Sequence, residues 1–129
     1  MSRKSRGIQA ERQLIHSFWE NGWAAIRAAG SGSTSFPSPD IIAGYAGRRL
    51  VIEAKLTTDR KKYISKKDLQ QLQFFAQTFT AEPWIAVKFF REQWYFLYLD
   101  DLEDTGKNKV VSLELARLRG LTLQEVLGN

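Results

Sequence analysis

Pro39–Lys55, PDIIAGYAGRRLVIEAK, places an aspartate at the head of one apolar run and a Glu-x-Lys on a second, with Ala46-Gly47-Arg48 between them. The two-residue period of a strand sends Glu53 and Lys55 to one face and Ile52 and Ala54 to the other. If the two runs pair as a hairpin, Asp40 comes close to Glu53. Two neighbouring carboxylates repel and raise a pKa, and a divalent cation resolves the conflict. The stretch therefore proposes a hard-metal site with a lysine beside it.

The rest of the composition says what such a site could act on. With 129 residues, 43% of them hydrophobic, the chain suits one globular domain, taken as residues 1–129. The absence of cysteine excludes disulfides, zinc-thiolate centres and iron–sulfur clusters. No run approaches the roughly 18 apolar residues of a membrane span, and the basic N-terminus lacks the apolar core of a signal peptide. The expectation is a soluble, cytoplasmic protein with no membrane partner and no small-molecule substrate.

Nineteen Lys+Arg against fourteen Asp+Glu give a net charge of +5. Arg3, Lys4, Arg6 and Arg12 form one cluster, and Lys55, Arg60, Lys61, Lys62, Lys66 and Lys67 form another. Either alone reads as solvated surface, but two clusters flanking a metal site favour a polyanion such as nucleic acid. The acidic run Asp100–Asp104 is then expected to face away from it.

Residues 1–6 read as a flexible basic arm. From Gly7 to Asn21, the residues Ile8, Leu14, Ile15, Phe18 and Trp19 recur at helical spacing and Asn21-Gly22 supplies a stop. Glu11 lies on that stripe and should point inward, either to a salt bridge with an arginine or to the metal site. His16 falls off the stripe and is read as exposed. A strand is expected at 23–29, carrying Arg27. The Ser-rich segment 30–39 is a loop whose hydroxyl and N–H groups suit a phosphate. Strands follow at 40–45 and 49–55, then a polar connector at 56–62.

Ser65 is a plausible N-cap with Asp68 three residues on, opening a helix to about Thr78. Its core stripe is Leu69, Leu72, Ala76 and Phe79, with Phe74 nearly opposite. The runs at 84–90 and 93–99 are apolar on both faces, so both faces should be covered. A short strand near Lys109–Leu113 and a helical turn after Thr122 complete the chain.

Phosphodiester hydrolysis needs charge neutralisation and an activated water. Carboxylate-held magnesium or manganese supplies both, and a lysine on the same face can orient the water or stabilise developing charge. Together with Ala10-Glu11-Arg12, Arg27, Ala29-Gly30-Ser31, Pro39-Asp40-Ile41, Ile52-Glu53-Ala54-Lys55 and Ala86-Val87-Lys88-Phe89, the chain resembles the PD-(D/E)xK nuclease superfamily. Within it, residues 3 to 99 look like the archaeal-type Holliday junction resolvases.

The resemblance implies an α/β, restriction-endonuclease-like fold with a central mixed β-sheet flanked by α-helices. It also implies a homodimeric, magnesium-dependent endonuclease, with manganese as a substitute ion, that nicks two strands symmetrically across a four-way DNA junction. Asp40, Glu53 and the Ala54 carbonyl would hold the metal, with Glu11 a further candidate ligand. Lys55 would serve the water, and Ser31 or Ser33 would lie near the scissile phosphate. Arg12 and Arg27 match basic residues used on DNA, and Arg3, Lys4, Arg6, Arg60, Lys61, Lys62, Lys66 and Lys67 extend that set by charge. A C2 dimer would present two equivalent sites to a junction of near two-fold symmetry, with Phe74, Phe75 and Phe79 as candidate contacts. The competing readings are a related nuclease acting on linear or damaged duplex DNA and a catalytically silent DNA-binding relative.

Overall fold

The structure is a computed structural model that describes residues 2–28 and 35–128. Helix α1 spans Arg3–Glu20. It begins earlier than the expected arm allows, because the Ser2 side chain accepts a hydrogen bond from the Ser5 amide at 3.1 Å and satisfies an otherwise orphaned donor. Residues 3–6 are thus the first turn of a helix, not a flexible arm. Ala10, Leu14 and Phe18 are buried on its inner face. Trp19 is exposed instead of belonging to that stripe; its indole N–H donates to the Ala25 carbonyl at 3.0 Å.

Strand β1 (Ala24–Arg27) pairs antiparallel with β2 (Ile41–Tyr45), which pairs antiparallel with β3 (Arg48–Thr57). The two-residue turn between β2 and β3 has both central residues at positive φ, Ala46 at 48° and Gly47 at 84°. That is the pattern of a type I′ turn, whose twist matches the flanking strands. Strand β3 runs two residues further than expected. The supposed connector at 56–62 is the tip of a second excursion into strand β4, Lys61–Ser65.

Helix α2 (Lys66–Phe79) is capped by Ser65, which accepts from the Asp68 amide at 3.0 Å. Leu69, Leu72 and Ala76 are buried. Phe79, expected in that stripe, is 40% exposed and pairs with Phe75 at 5.7 Å between ring centroids. The chain then crosses to β5 (Glu82–Phe89), parallel to β3, and returns as antiparallel β6 (Trp94–Leu97). The central sheet has the order β1-β2-β3-β5-β6.

After a 3-10 turn at Leu99–Asp101 come β7 (Glu103–Asp104) and β8 (Asn108–Ser112), which form a small sheet in the order β4-β8-β7. Helices α3 (Leu113–Arg119) and α4 (Leu123–Leu127) close the chain.

The central sheet is covered on both faces, as its two-sided apolar strands require. Leu50, Ile52, Trp84, Ala86 and Phe96 pack with Leu14 and Phe18 of α1 and with Val126 and Leu127 of α4. On the other face Val51, Ile85, Val87 and Phe89 pack with Leu69, Leu72 and Ala76 of α2 and with Leu113 and Ala116 of α3. At one end, Arg48 fastens the hairpin to both neighbours through a two-bond pair with Glu82, each bond 2.9 Å, and a 2.9 Å bond to the Val126 carbonyl.

Candidate active site

The hairpin register decides the site. Ile41 faces Ile52, so one step further Asp40 stands opposite Glu53. The Asp40 amide donates to the Ile52 carbonyl at 3.0 Å, and its carboxylate accepts from the Ala54 amide at 2.9 Å. Asp40 is thus fixed to the strand that carries its partner carboxylate. Glu53 and Lys55 share the strand face that α2 covers, and Lys55 Nζ lies 3.4 Å from Glu53 Oε2 and 3.9 Å from Asp68 Oδ2.

Glu11 reaches the same place from α1. Its carboxylate accepts from Arg27 Nε at 3.0 Å, and both side chains are largely shielded. The salt bridge expected of an inward Glu11 is present, and the ion-paired carboxylate also lines the cavity containing Asp40, Glu53, Ala54 and Lys55. That cavity, of about 520 Å³, is completed by Ser38 and Phe36 before β2 and by Lys67, Asp68, Gln71 and Leu72 of α2.

The electrostatics follow from this crowding. Burial, then the charge of Asp40, pushes the Glu53 carboxyl up to about 7, with Lys55 opposing. Glu11 is raised for the same two reasons, burial first, while the hydrogen bond and charge of Arg27 pull it back. A carboxyl raised by burial and by a neighbouring carboxylate is one whose charged form a bound cation would favour.

Among the described residues no group of three or more His, Cys, Asp or Glu side chains is arranged to hold a metal ion. The donors that fit one are Asp40 and Glu53 with backbone oxygen and water, a set suited to a hard divalent cation that retains part of its hydration.

Other predicted residues fall elsewhere. Arg3, Lys4 and Arg6 line a second groove, of about 650 Å³, with Lys62 from β4. Lys67 joins the carboxylate cavity, while Arg12 and Lys61 are exposed. Arg60 pairs with Glu114, and Lys66 pairs with Asp104 at 3.1 Å. The acidic run therefore does not face wholly away from the basic cluster, because β8 brings β7 and Asp104 beside the start of α2. Arg27 is engaged by Glu11. Ser31 and Ser33 lie outside the described residues.

Asp68 and Gln71 belong to the cavity but were not read as site residues. Asp68 had been assigned to capping, yet its backbone amide does that work and its carboxylate faces Lys55. The three-residue spacing of Asp68 and Gln71, on the flank of a buried leucine stripe, is the signal that could have found them.

A mixed sheet whose central hairpin delivers Asp40 and Glu53-Ala54-Lys55 into one cavity has the restriction-endonuclease-like fold of the PD-(D/E)xK nucleases. The chain belongs to the archaeal Holliday junction resolvase (Hjc) family, whose model matches residues 2–129. It is 40% identical to the crossover junction endodeoxyribonuclease Hjc of Archaeoglobus fulgidus, over 97% of each chain. It is 34% identical to the Methanocaldococcus jannaschii enzyme of the same name, over 95% of this chain and 87% of that one. The solved structure of A. fulgidus Hjc, a Holliday junction resolvase from an archaeal hyperthermophile, superposes with a TM-score of 0.87 at 41% identity, covering 93% of this chain and 97% of that one.

Proposed function

We propose that this chain is a crossover junction endodeoxyribonuclease that resolves four-way DNA junctions by divalent-metal-dependent phosphodiester hydrolysis. The observation that carries the reading is the shared cavity of Asp40, Glu53 and Lys55, in a chain whose family and named relatives are junction resolvases.

Asp40 and Glu53 would hold the metal, with the Ala54 carbonyl as a further ligand. When bound, such an ion would supply neutralisation of the phosphate charge and a lower pKa for the attacking water. Magnesium is the ion the oxygen donors favour, and manganese the substitute. Lys55, held between Glu53 and Asp68, donates to the attacking water and to the charge that accumulates on phosphorus. As the water oxygen–phosphorus bond forms, the water gives up a proton to solvent, the bond to the bridging oxygen breaks, that oxygen takes up a proton from solvent, and the strand is nicked. Lys67 and the Arg3, Lys4, Arg6 and Lys62 groove hold the flanking phosphates, so binding should weaken steeply with salt.

Two such sites are needed for paired nicks, and a symmetric dimer supplies them. Phe74, 60% exposed on α2, and the Phe75–Phe79 pair form the apolar surface best placed to join two copies.

The test is incubation with a synthetic four-way junction and with a linear duplex of the same sequence, each with magnesium and with EDTA. Paired, metal-dependent nicks confined to the junction are expected, and equal cutting of the duplex would overturn the junction reading. Asp40→Asn should abolish cleavage and leave junction binding largely intact.

A further inference from the structure

The second groove contains more than the phosphate contacts that charge alone suggests. It lies between the start of α1, the end of β3 and the turn joining β5 to β6. Arg3, Lys4, Arg6, Lys62, Lys88 and Arg91 contribute cations, and Asp59 is its acid. None of these residues enters an ion pair among the described residues. Over this groove stands Phe90, 62% exposed.

The placement of Phe90 is specific. Glu92 N–H donates to the Phe89 carbonyl at 2.9 Å, closing a tight turn with Phe90 and Arg91 at its corners. Arg91 has φ 62°, a conformation that glycine adopts without strain and an L residue reaches at a cost of about 1 kcal/mol. The turn thus carries an aromatic and a strained arginine where smaller residues would close it more easily. The Arg91 guanidinium lies 5.1 Å from the Phe90 ring centroid, over its face. Lys88 stands two residues before Phe90 on β5.

Exposed aromatic rings set among unpaired cations are how proteins hold unpaired nucleotides: cations follow the backbone and the ring stacks on a base. The groove also adjoins the carboxylate cavity, since Ala10 lines one and Glu11 the other, while Lys55 and Leu56 divide β3 between them. From Glu53 to Thr57 a strand advances about 13 Å, about four base-pair steps of duplex.

We infer that this groove is a subsite for an unpaired base, which stacks on Phe90 while Arg3, Arg6, Lys88 and Arg91 hold the adjoining phosphates. The inference rests on the junction-cutting reading for where such a base comes from. A branch point is the place in a four-way junction where base stacking is interrupted and the flanking base pairs open most readily, and four steps from the cut is within its reach. A continuous duplex offers Phe90 no free base face, so the subsite favours branched over linear DNA without reading sequence.

The test uses the full protein in EDTA, where no strand is cut. One probe is a four-way junction with 2-aminopurine at the branch point, and the other is a single-stranded oligonucleotide containing the same base. Stacking on Phe90 should change the 2-aminopurine emission in both. Phe90→Ala should remove that change and weaken binding of both probes about ten-fold or more, with linear duplex affinity unchanged and Phe90→Trp restoring the signal. Arg91→Gly, which relieves the backbone strain, should weaken all three DNAs and reduce the salt slope.

An unaltered emission response and affinity in Phe90→Ala would overturn the inference. A wild-type protein that shows the Phe90-dependent signal on the single strand, yet does not prefer the junction over duplex, would uphold the subsite and overturn the junction reading. No emission change with either probe in the wild type would overturn the subsite alone if junction preference persists.

Discussion

Glu53→Gln should stabilise the metal-free protein at high pH, although it destroys a residue of the site. In the folded chain the Glu53 carboxyl is pushed from its ordinary 4.5 up to about 7, by burial first and by Asp40 second. The folded state therefore keeps a proton that the unfolded chain has released, and stability from this group falls as pH rises from about 4.5 to 7. The full penalty is present above 7. At 1.36 kcal/mol per pKa unit it amounts to about 3 kcal/mol.

Glutamine has no proton to lose, and its amide can donate to Asp40 as the protonated carboxyl does. Urea denaturation in EDTA should find Glu53→Gln about 2–3 kcal/mol more stable than wild type at pH 8. The two should agree within about 1 kcal/mol at pH 5. Adding a divalent cation at pH 8 should stabilise the wild type and not the variant, reversing their order. A variant less stable than wild type at pH 8 in EDTA would refute the account of Glu53 as a strained carboxylate.

Lys55→Met should lower kcat by about 10²–10⁴-fold in single-turnover junction cleavage while the dissociation constant changes little; a pure affinity loss would place Lys55 among the phosphate contacts. Arg27→Ala leaves Glu11 half-buried beside Asp40 without its hydrogen-bond donor, at a cost of about 1–3 kcal/mol. Because a protonated Glu11 suffers less from the loss, that cost should be smaller at pH 5 than at pH 8 in chemical denaturation. Ala46→Gly relieves a left-handed residue at φ 48° in the hairpin turn, and should raise stability by about 0.5–1 kcal/mol with no effect on cleavage.

The hairpin was legible because two independent periods agreed there. The alternation in Val51–Lys55 fixed which residues share a face, and Ala46-Gly47 fixed where the chain turns, so the opposition of Asp40 and Glu53 followed. Glu11 was legible from its position on the apolar stripe of α1, but not its double engagement, because Arg27 arrives from a strand whose register no local pattern specifies. Strand β4 was missed because only Ile64 of its five residues is buried, so it lacks an alternating apolar signal. Helix α3 was missed for a similar reason, since its seven residues bury only Leu113 and Ala116. The Lys66–Asp104 contact depends on the small sheet that β4 begins, so losing β4 meant losing the partner of Lys66 as well.

The hairpin also bears on the order of assembly. Its pairings close within a single tight turn, whereas the β3–β5 pairings must wait for β4 and α2 to be threaded between them. Local pairings carry a smaller loop-closure cost and tend to form early. Asp40 and Glu53 can therefore face each other before the fold is complete, and a divalent ion that binds the pair at that stage would speed refolding as well as slow unfolding. Glu11 and Asp68, brought in by helices on opposite faces, complete the cavity only as those helices dock.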